Sequence, residues 1–284
     1  MDKSKVTIPG LLKMKAEGRQ KIRMVTAYDY PMAVLIDQTD IEMIFVGDSL
    51  GMVVLGHEGT VPVTMEDMIH HSRAVARGAR KTFLVVDMPF GSYHLSIEQA
   101  VGNAVRLMKE CSADCVKIEG GVDFAPTVRA IVKAGIPVMG HIGLTPQTAS
   151  ALGGFKVQGK NLESAAQIYR DALALEEAGA FSIVMEAVPA PLAKIITEKL
   201  RIPTIGIGAG VDCDGQVLVL YDLLGLFDRF VPKFVKRYAR LDQEVKNALT
   251  TYATEVADGT FPGPEHSFSG KEDELRRYLG LEQG

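Results

Sequence analysis

Short apolar runs, each followed by a stretch of helical length and amphipathic pattern, recur along this chain, and that alternation constrains the fold more than any other feature. The runs lie at residues 22–27, 41–46, 83–86, 115–118, 137–140, 181–185, 203–207 and, more weakly, 230–235. Helical patterns lie at 31–38, 64–77, 97–109, 124–134, 162–178, 191–200, 216–224 and 242–257. Repeated right-handed crossovers close a parallel sheet, so these strand-then-helix units predict a (β/α)8 TIM barrel. A doubly wound sheet alternates in the same way and stays open at this point. Residues 9–18 read as a helix, with Pro at its start and Gly at its end, placed to plug the bottom of the barrel. No internal repeat or linker interrupts the pattern. One domain over 1–284 is expected, with 259–284 as a peripheral arm carrying one short helix.

Barrel chemistry sits at the C-terminal ends of the strands, so the polar residues that terminate apolar runs are the ones to collect. Asp48, Asp87, Glu119, His141 and Glu186 end the second to sixth runs. Carboxylates brought together from neighbouring strands repel unless a cation lies between them, and oxygen-only ligands favour Mg²⁺ or a similar hard ion. Lys117 and Glu119 share one face of their strand, which places a cation beside an anion. Lys117 either pairs with Glu119 or holds a substrate carboxylate as a point charge. Each Asp taken alone also reads as a helix cap or turn residue, and His141 as a satisfied core histidine. Glu186 has no cation evident in the sequence and suits a general base. A metal beside a lysine suits a 2-oxo acid chelated through its ketone and carboxylate oxygens. The metal would polarise the ketone and stabilise the enolate formed when a base removes the neighbouring C–H proton.

Charge narrows the function classes. Lys and Arg total 31 against 35 Asp and Glu, a formal net charge of -4 with no basic block, which gives no support to a nucleic-acid or anionic-membrane role. The three cysteines lack CxxC spacing, which fits a reducing cytoplasm better than a disulfide framework or zinc knuckle. No stretch is long and apolar enough for a membrane span, and the first residues have no apolar signal core. A soluble cytoplasmic chain is expected. The 206–210 run GIGAG lacks the GxGxxG spacing and reads as a close-packed turn. His70 and His71 are adjacent on a helix and do not face one another as metal ligands.

Several ordered motifs resemble the ketopantoate (3-methyl-2-oxobutanoate) hydroxymethyltransferase family. They are TAYDY at 26–30, VGDSLGM at 46–52, VKIEGG at 116–121, GHIGLTPQ at 140–147, KVQG at 156–159 and IGIGAG at 205–210. The resemblance runs from about residue 8 to 268. It implies a barrel of the phosphoenolpyruvate/pyruvate superfamily and the first committed step of pantothenate biosynthesis. The implied reaction moves a hydroxymethyl group from 5,10-methylenetetrahydrofolate to 3-methyl-2-oxobutanoate and gives 2-dehydropantoate. Asp48, Asp87 and Glu119 match the family's metal-site acids. Ser49 and Lys117 match residues that hold the oxo acid, together with Asp48, Asp87 and His141 around the same site, and Glu186 matches the catalytic proton acceptor. A homodecamer is implied as well. The folate is expected near the Gly-rich 143–160 loop and the barrel rim. The alternatives are a superfamily C–C lyase acting on a hydroxy-dicarboxylate, for which no KKCGH-like loop is present, and a non-catalytic oxo-acid binding protein.

Overall fold

The computed structural model describes residues 4–150, 154, 156–227, 229 and 231–281. Eight parallel strands, each hydrogen-bonded to its sequence neighbours, close into a barrel: β1 (Ile22–Thr26), β2 (Met43–Val46), β3 (Phe83–Asp87), β4 (Cys115–Glu119), β5 (Val138–Gly143), β6 (Ser182–Glu186), β7 (Thr204–Ile207) and β8 (Gly215–Leu218). Helix α1 (Ile8–Glu17) precedes the barrel. Helix α2 (Tyr30–Asp37) follows β1, α3 (Leu50–Val53) and α4 (Met65–Gly78) follow β2, α5 (Ile97–Cys111), α6 (Ala125–Lys133), α7 (Leu162–Glu177) and α8 (Ala190–Lys199) follow β3 to β6 in turn, and α9 (Leu220–Leu224) follows β8, with no described helix between β7 and β8. Beyond the barrel lie α10 (Leu241–Asp258) and α11 (Glu272–Tyr278).

Strand side chains alternate, so every second residue enters the barrel. Met24, Met43, Phe45, Phe83, Val85 and Met139 fill its lower layers. Leu11 of α1 is buried in the same cluster and closes the bottom, as its position before the first strand predicts. Side chains facing outward from the strands meet the helices in the larger core, where Val86, Val116, Leu107 and Ile131 are fully buried. The cap expected at Thr64 forms a capping box with Asp67, each side chain accepting from the other's backbone N–H.

The last barrel unit differs from the sequence expectation. Residues 216–224 were expected as a helix and 230–235 as the eighth strand. Instead 215–218 is β8, paired with both β1 and β7. Of the expected strand, Phe230 lies outside the described residues and 231–235 forms turns without ladder pairing. The reason is local: the run GQVLVLYDLLGL is apolar apart from Gln216 and Asp222, so strand and helix periods overlap within it. Gly215 settles the matter, because a Cβ there would sit 2.5 Å from the Ile22 carbonyl oxygen, a closeness to β1 that only glycine allows.

Residues 151–153 and 155, within the Gly-rich excursion, lie outside the described residues. Its first part is ordered against the barrel top, with a single 3₁₀ turn at Pro146–Thr148. Among the described residues of 241–281 none is buried. No described helix is long and apolar enough to cross a membrane.

Candidate active site

Strand register brings the acids together. Asp87 ends β3 directly opposite Lys117 of β4, and Glu119, two residues further along β4, lies opposite His141 of β5. Neighbours at matched register in a parallel sheet point to the same face, here the barrel interior. Asp48 arrives from the turn after β2, where its backbone N–H donates to Asp87 Oδ2 at 3.0 Å. Glu186 ends β6, beside Gly143 at the end of β5. A Cβ at Gly143 would sit 2.3 Å from the Glu186 carbonyl oxygen, and its φ of +93° suits glycine alone, so this residue lets the two strand ends close up. Strand β5 runs two residues past His141, which makes His141 an interior strand residue rather than a terminal one.

Asp48, Asp87, Lys117, Glu119 and His141 are between 1% and 4% exposed. They line a cavity of about 160 Å³ at the barrel top, together with Ser49 and Glu186. Lys117 Nζ lies 2.7 Å from Asp87 Oδ1 and only 4.0 Å from Glu119 Oε1. The ion pair read from the sequence between Lys117 and Glu119 is therefore secondary, because register places Asp87 beside the ammonium. Burial opposes the Lys117 charge, yet Asp87, Glu119 and Asp48 together hold its pKa above the ordinary lysine value.

The acids are not equivalent. Burial, then the charges of Asp87 and Glu119, raise the Asp48 carboxyl well above its ordinary range. Burial also raises Asp87, with Lys117 pulling the other way. For Glu119 burial is outweighed by His141, Lys117 and the Gln147 N–H, and the net direction is down. His141 stands between two carboxylates, Nδ1 3.3 Å from Glu119 Oε1 and Nε2 3.3 Å from Glu186 Oε2. Burial and the Lys117 charge disfavour its cation, but the two glutamates win and raise its pKa to about 9.

That shift carries a stability consequence. An imidazole raised from about 6.5 when unfolded to about 9 when folded contributes fully below pH 6.5, and its contribution is lost as pH climbs towards 9. The loss is expected to be on the order of 2–3 kcal/mol in the metal-free protein. Chemical denaturation across this range checks it, and His141→Asn should flatten the profile. A wild-type profile already flat between pH 6.5 and 9 contradicts the shift.

Three residues that sequence reasoning did not single out complete the site. Gln147, buried in the 3₁₀ turn after β5, donates from Nε2 to Asp48 Oδ2 at 2.8 Å and to the Met88 carbonyl at 3.0 Å. Its backbone N–H donates to Glu119 Oε2 at 3.0 Å. The Tyr93 hydroxyl donates to Gln147 Oε1 at 2.7 Å, and the Tyr28 hydroxyl lies 2.9 Å from Ser49 Oγ. Gln147 and Tyr28 lie within motifs quoted above, but nothing in a loop glutamine announces that it folds inward. His71 Nδ1 meets the Tyr28 carbonyl, consistent with the non-metal reading of the His70 and His71 pair.

The donor set fits a hard divalent cation. Three buried carboxylates face one lysine and one histidine, and burial together with the charges of Asp87 and Glu119 raises the Asp48 carboxyl, which a cation beside it would counter. Asp48 Oδ1 has no hydrogen-bond partner among the described residues, whereas both oxygens of Glu119 are engaged by His141 and Gln147. Among the described residues no group of three or more His, Cys, Asp or Glu side chains is already gathered as a metal cluster. Two carboxylates with open positions for water or substrate describe the arrangement, which is the mode Mg²⁺ favours.

The chain resembles known proteins along almost its full length. It is 63% identical over 272 residues to the 3-methyl-2-oxobutanoate hydroxymethyltransferase of Heliobacterium modesticaldum, covering 96% of this chain and 98% of that one. It is 60% identical over 266 residues to the enzyme of the same name from Moorella thermoacetica, covering 94% and 98%. Among solved structures, phosphonopyruvate hydrolase superposes with a TM-score of 0.59 at 14% identity, covering 97% of this chain and 95% of that one. The 2,3-dimethylmalate lyase, described as a PEP mutase/isocitrate lyase superfamily member, gives 0.58 at 13%, covering 99% and 96%. At such identities these two structures support the barrel fold alone. The family model for ketopantoate hydroxymethyltransferase matches residues 5–264, and the chain belongs to that family.

Proposed function

We propose that the chain transfers a hydroxymethyl group from 5,10-methylenetetrahydrofolate to 3-methyl-2-oxobutanoate and releases 2-dehydropantoate and tetrahydrofolate, the first committed step of pantothenate biosynthesis. One water is consumed in the balance. The observation that carries the reading is the family match across a cavity in which three buried carboxylates, one lysine and a rim glutamate converge. The relatives' names do not favour the lyase alternative.

Asp48 and Asp87 would hold a divalent cation, with Glu119 facing it directly or through water. When bound, the cation supplies Lewis acidity towards the ketone and carboxylate oxygens of the substrate. Lys117 Nζ holds the substrate carboxylate, exchanging part of its contact with Asp87 for the ligand. Ser49, steadied by Tyr28, supplies a further hydroxyl. Glu186 takes the C3 proton, and the electron pair of that C–H bond moves into the enolate that forms the new C–C bond to the donated carbon. His141 touches both Glu119 and Glu186. It keeps the base aimed at C3 and offsets its charge.

The assay is direct. Purified chain with Mg²⁺ is expected to exchange the C3 proton of 3-methyl-2-oxobutanoate in D₂O, and to form 2-dehydropantoate once methylenetetrahydrofolate is added. Absence of both, with bound metal verified by calorimetry, overturns the reading. Exchange separates an enzyme from a binding protein, which would bind the oxo acid without exchanging it.

The chain is further proposed to assemble as a large homo-oligomer, a decamer by family resemblance. Helix α10 supports this, because Val245, Leu249, Tyr252 and Val256 form one exposed stripe at helical spacing along it. Light scattering is expected to give a mass many times the 30.8 kDa of one chain, and a monomer at micromolar concentration contradicts it. The three free cysteines are buried, which supports a reducing, cytoplasmic setting.

A further inference from the structure

The cavity has a second half that the acid cluster does not use. Its polar wall comes from the ends of β2 to β6 and finishes at Glu186. Ile207 of β7 lies opposite Glu186 in the sheet register and begins an apolar wall, which Val217 and Val219 extend and Phe227 and Phe234 close. A single charged side chain from α9, Asp222, lines this half. Among the described residues its carboxylate accepts no hydrogen bond, and the one charge that acts on it is that of Arg237. Burial pushes the Asp222 carboxyl up to about 6, although the Arg237 charge pulls it back in part. The Arg237 guanidinium donates instead to the Phe227 carbonyl at 3.3 Å.

Asp222 is partly buried, and with no protein group donating to it its carboxylate is left to water alone. Such a group persists where a ligand supplies the missing donors. The proposed reaction needs two reactants, and the small oxo acid is accounted for by the polar half. The one-carbon donor must reach the carbon whose proton Glu186 removes, and the wall adjoining Glu186 is the apolar one. A reduced pterin presents broad ring faces that pack against apolar side chains, and along one edge it carries an amide N–H beside an exocyclic amine. Those two donors match the two oxygens of one carboxylate.

We propose that this apolar half is the reduced-pterin subsite, with Asp222 accepting both N–H groups of the pterin amide–amine edge and Phe227 and Phe234 flanking the ring. The inference rests on the hydroxymethyl-transfer reading above. Of the two places the sequence suggests for the folate, the 143–160 loop and the barrel rim, it selects the rim, on its β7–β8 side.

The test uses the full chain with Mg²⁺ and follows tetrahydrofolate binding by calorimetry, alongside oxo-acid proton exchange measured without folate. Asp222→Asn is expected to weaken tetrahydrofolate binding, and to raise the KM for methylenetetrahydrofolate, by about 10–100-fold, the scale of a lost charge-assisted hydrogen-bond pair. Folate-free exchange should stay within about twofold, since Asp222 does not touch the oxo acid, and that readout also reports that the variant is folded. With a 2-desamino folate analogue, the wild-type and variant affinities should converge. Tetrahydrofolate affinity unchanged in Asp222→Asn, with wild-type exchange normal, sinks the subsite and leaves the hydroxymethyl-transfer reading standing. Exchange falling in step with folate affinity assigns Asp222 a structural role and equally overturns the proposal. A wild-type chain that neither exchanges the proton nor binds tetrahydrofolate defeats both readings.

Discussion

Replacing Glu186 with glutamine is expected to lower C3 proton exchange by at least about 10³-fold, the upper range for removing a positioned general base. The amide keeps the size of the side chain but cannot accept the proton. Oxo-acid and metal affinity should change by less than about threefold, because the groups proposed to hold both lie on β2 to β4 rather than β6. A second readout ties the base to its neighbour. Glu186 is one of the two carboxylates that raise His141, whose Nε2 lies 3.3 Å from it, so the imidazole pKa in the variant should fall below about 9. NMR titration of the histidine and a deuterium-exchange time course measure the two effects on one sample. Normal exchange in Glu186→Gln removes Glu186 as the base.

The second large effect is expected from Lys117→Met. Lys117 is 2% exposed and sits within ion-pair distance of Asp87 and Glu119. Removing it leaves buried carboxylates uncompensated, which should cost the metal-free protein roughly 3–5 kcal/mol. The sign of the pH dependence follows from the same contact. Lys117 lowers the Asp87 carboxyl against the upward push of burial, so without it Asp87 rises further and remains protonated to higher pH. The deficit of the variant should therefore shrink at low pH and widen as pH rises. Mg²⁺ should recover part of the lost stability by taking over the charge balance. Affinity for 3-methyl-2-oxobutanoate should drop about 10–100-fold, the scale of one charge-assisted contact to a carboxylate. A variant as stable as wild type in the absence of metal argues that the acids are already protonated, and undoes this account of the cluster.

Much of this is legible in the sequence alone. Seven of the eight strands and the bottom plug follow from runs such as 41–46 and 83–86, because burial on both faces demands continuous apolar residues of strand length. Asp87, Glu119 and Glu186 stood out because a carboxylate closing such a run has nowhere to go except the barrel mouth. The eighth strand did not stand out. Gly215–Leu218 is four residues long with an exposed Gln216, and the apolar residues after it carry a helical period as readily as an extended one. Gln147 was equally hidden. Its hydrogen bonds join residues 28 to 99 positions apart, and no local pattern encodes such partners.

By itself the sequence determined which residues would be buried, which would sit at strand ends, and that acids would outnumber cations there, since these depend on alternation and run length within single elements. Only the tertiary structure decided who faces whom. Closing the sheet set Asp87 opposite Lys117 rather than leaving Glu119 as its partner, placed His141 between two glutamates, and brought Asp222 to the cavity of acids more than a hundred positions earlier in the chain. The physical reason is that a charged side chain takes its pKa and its partner from distances of 3–4 Å, and across a barrel those distances are set by strand register and closure.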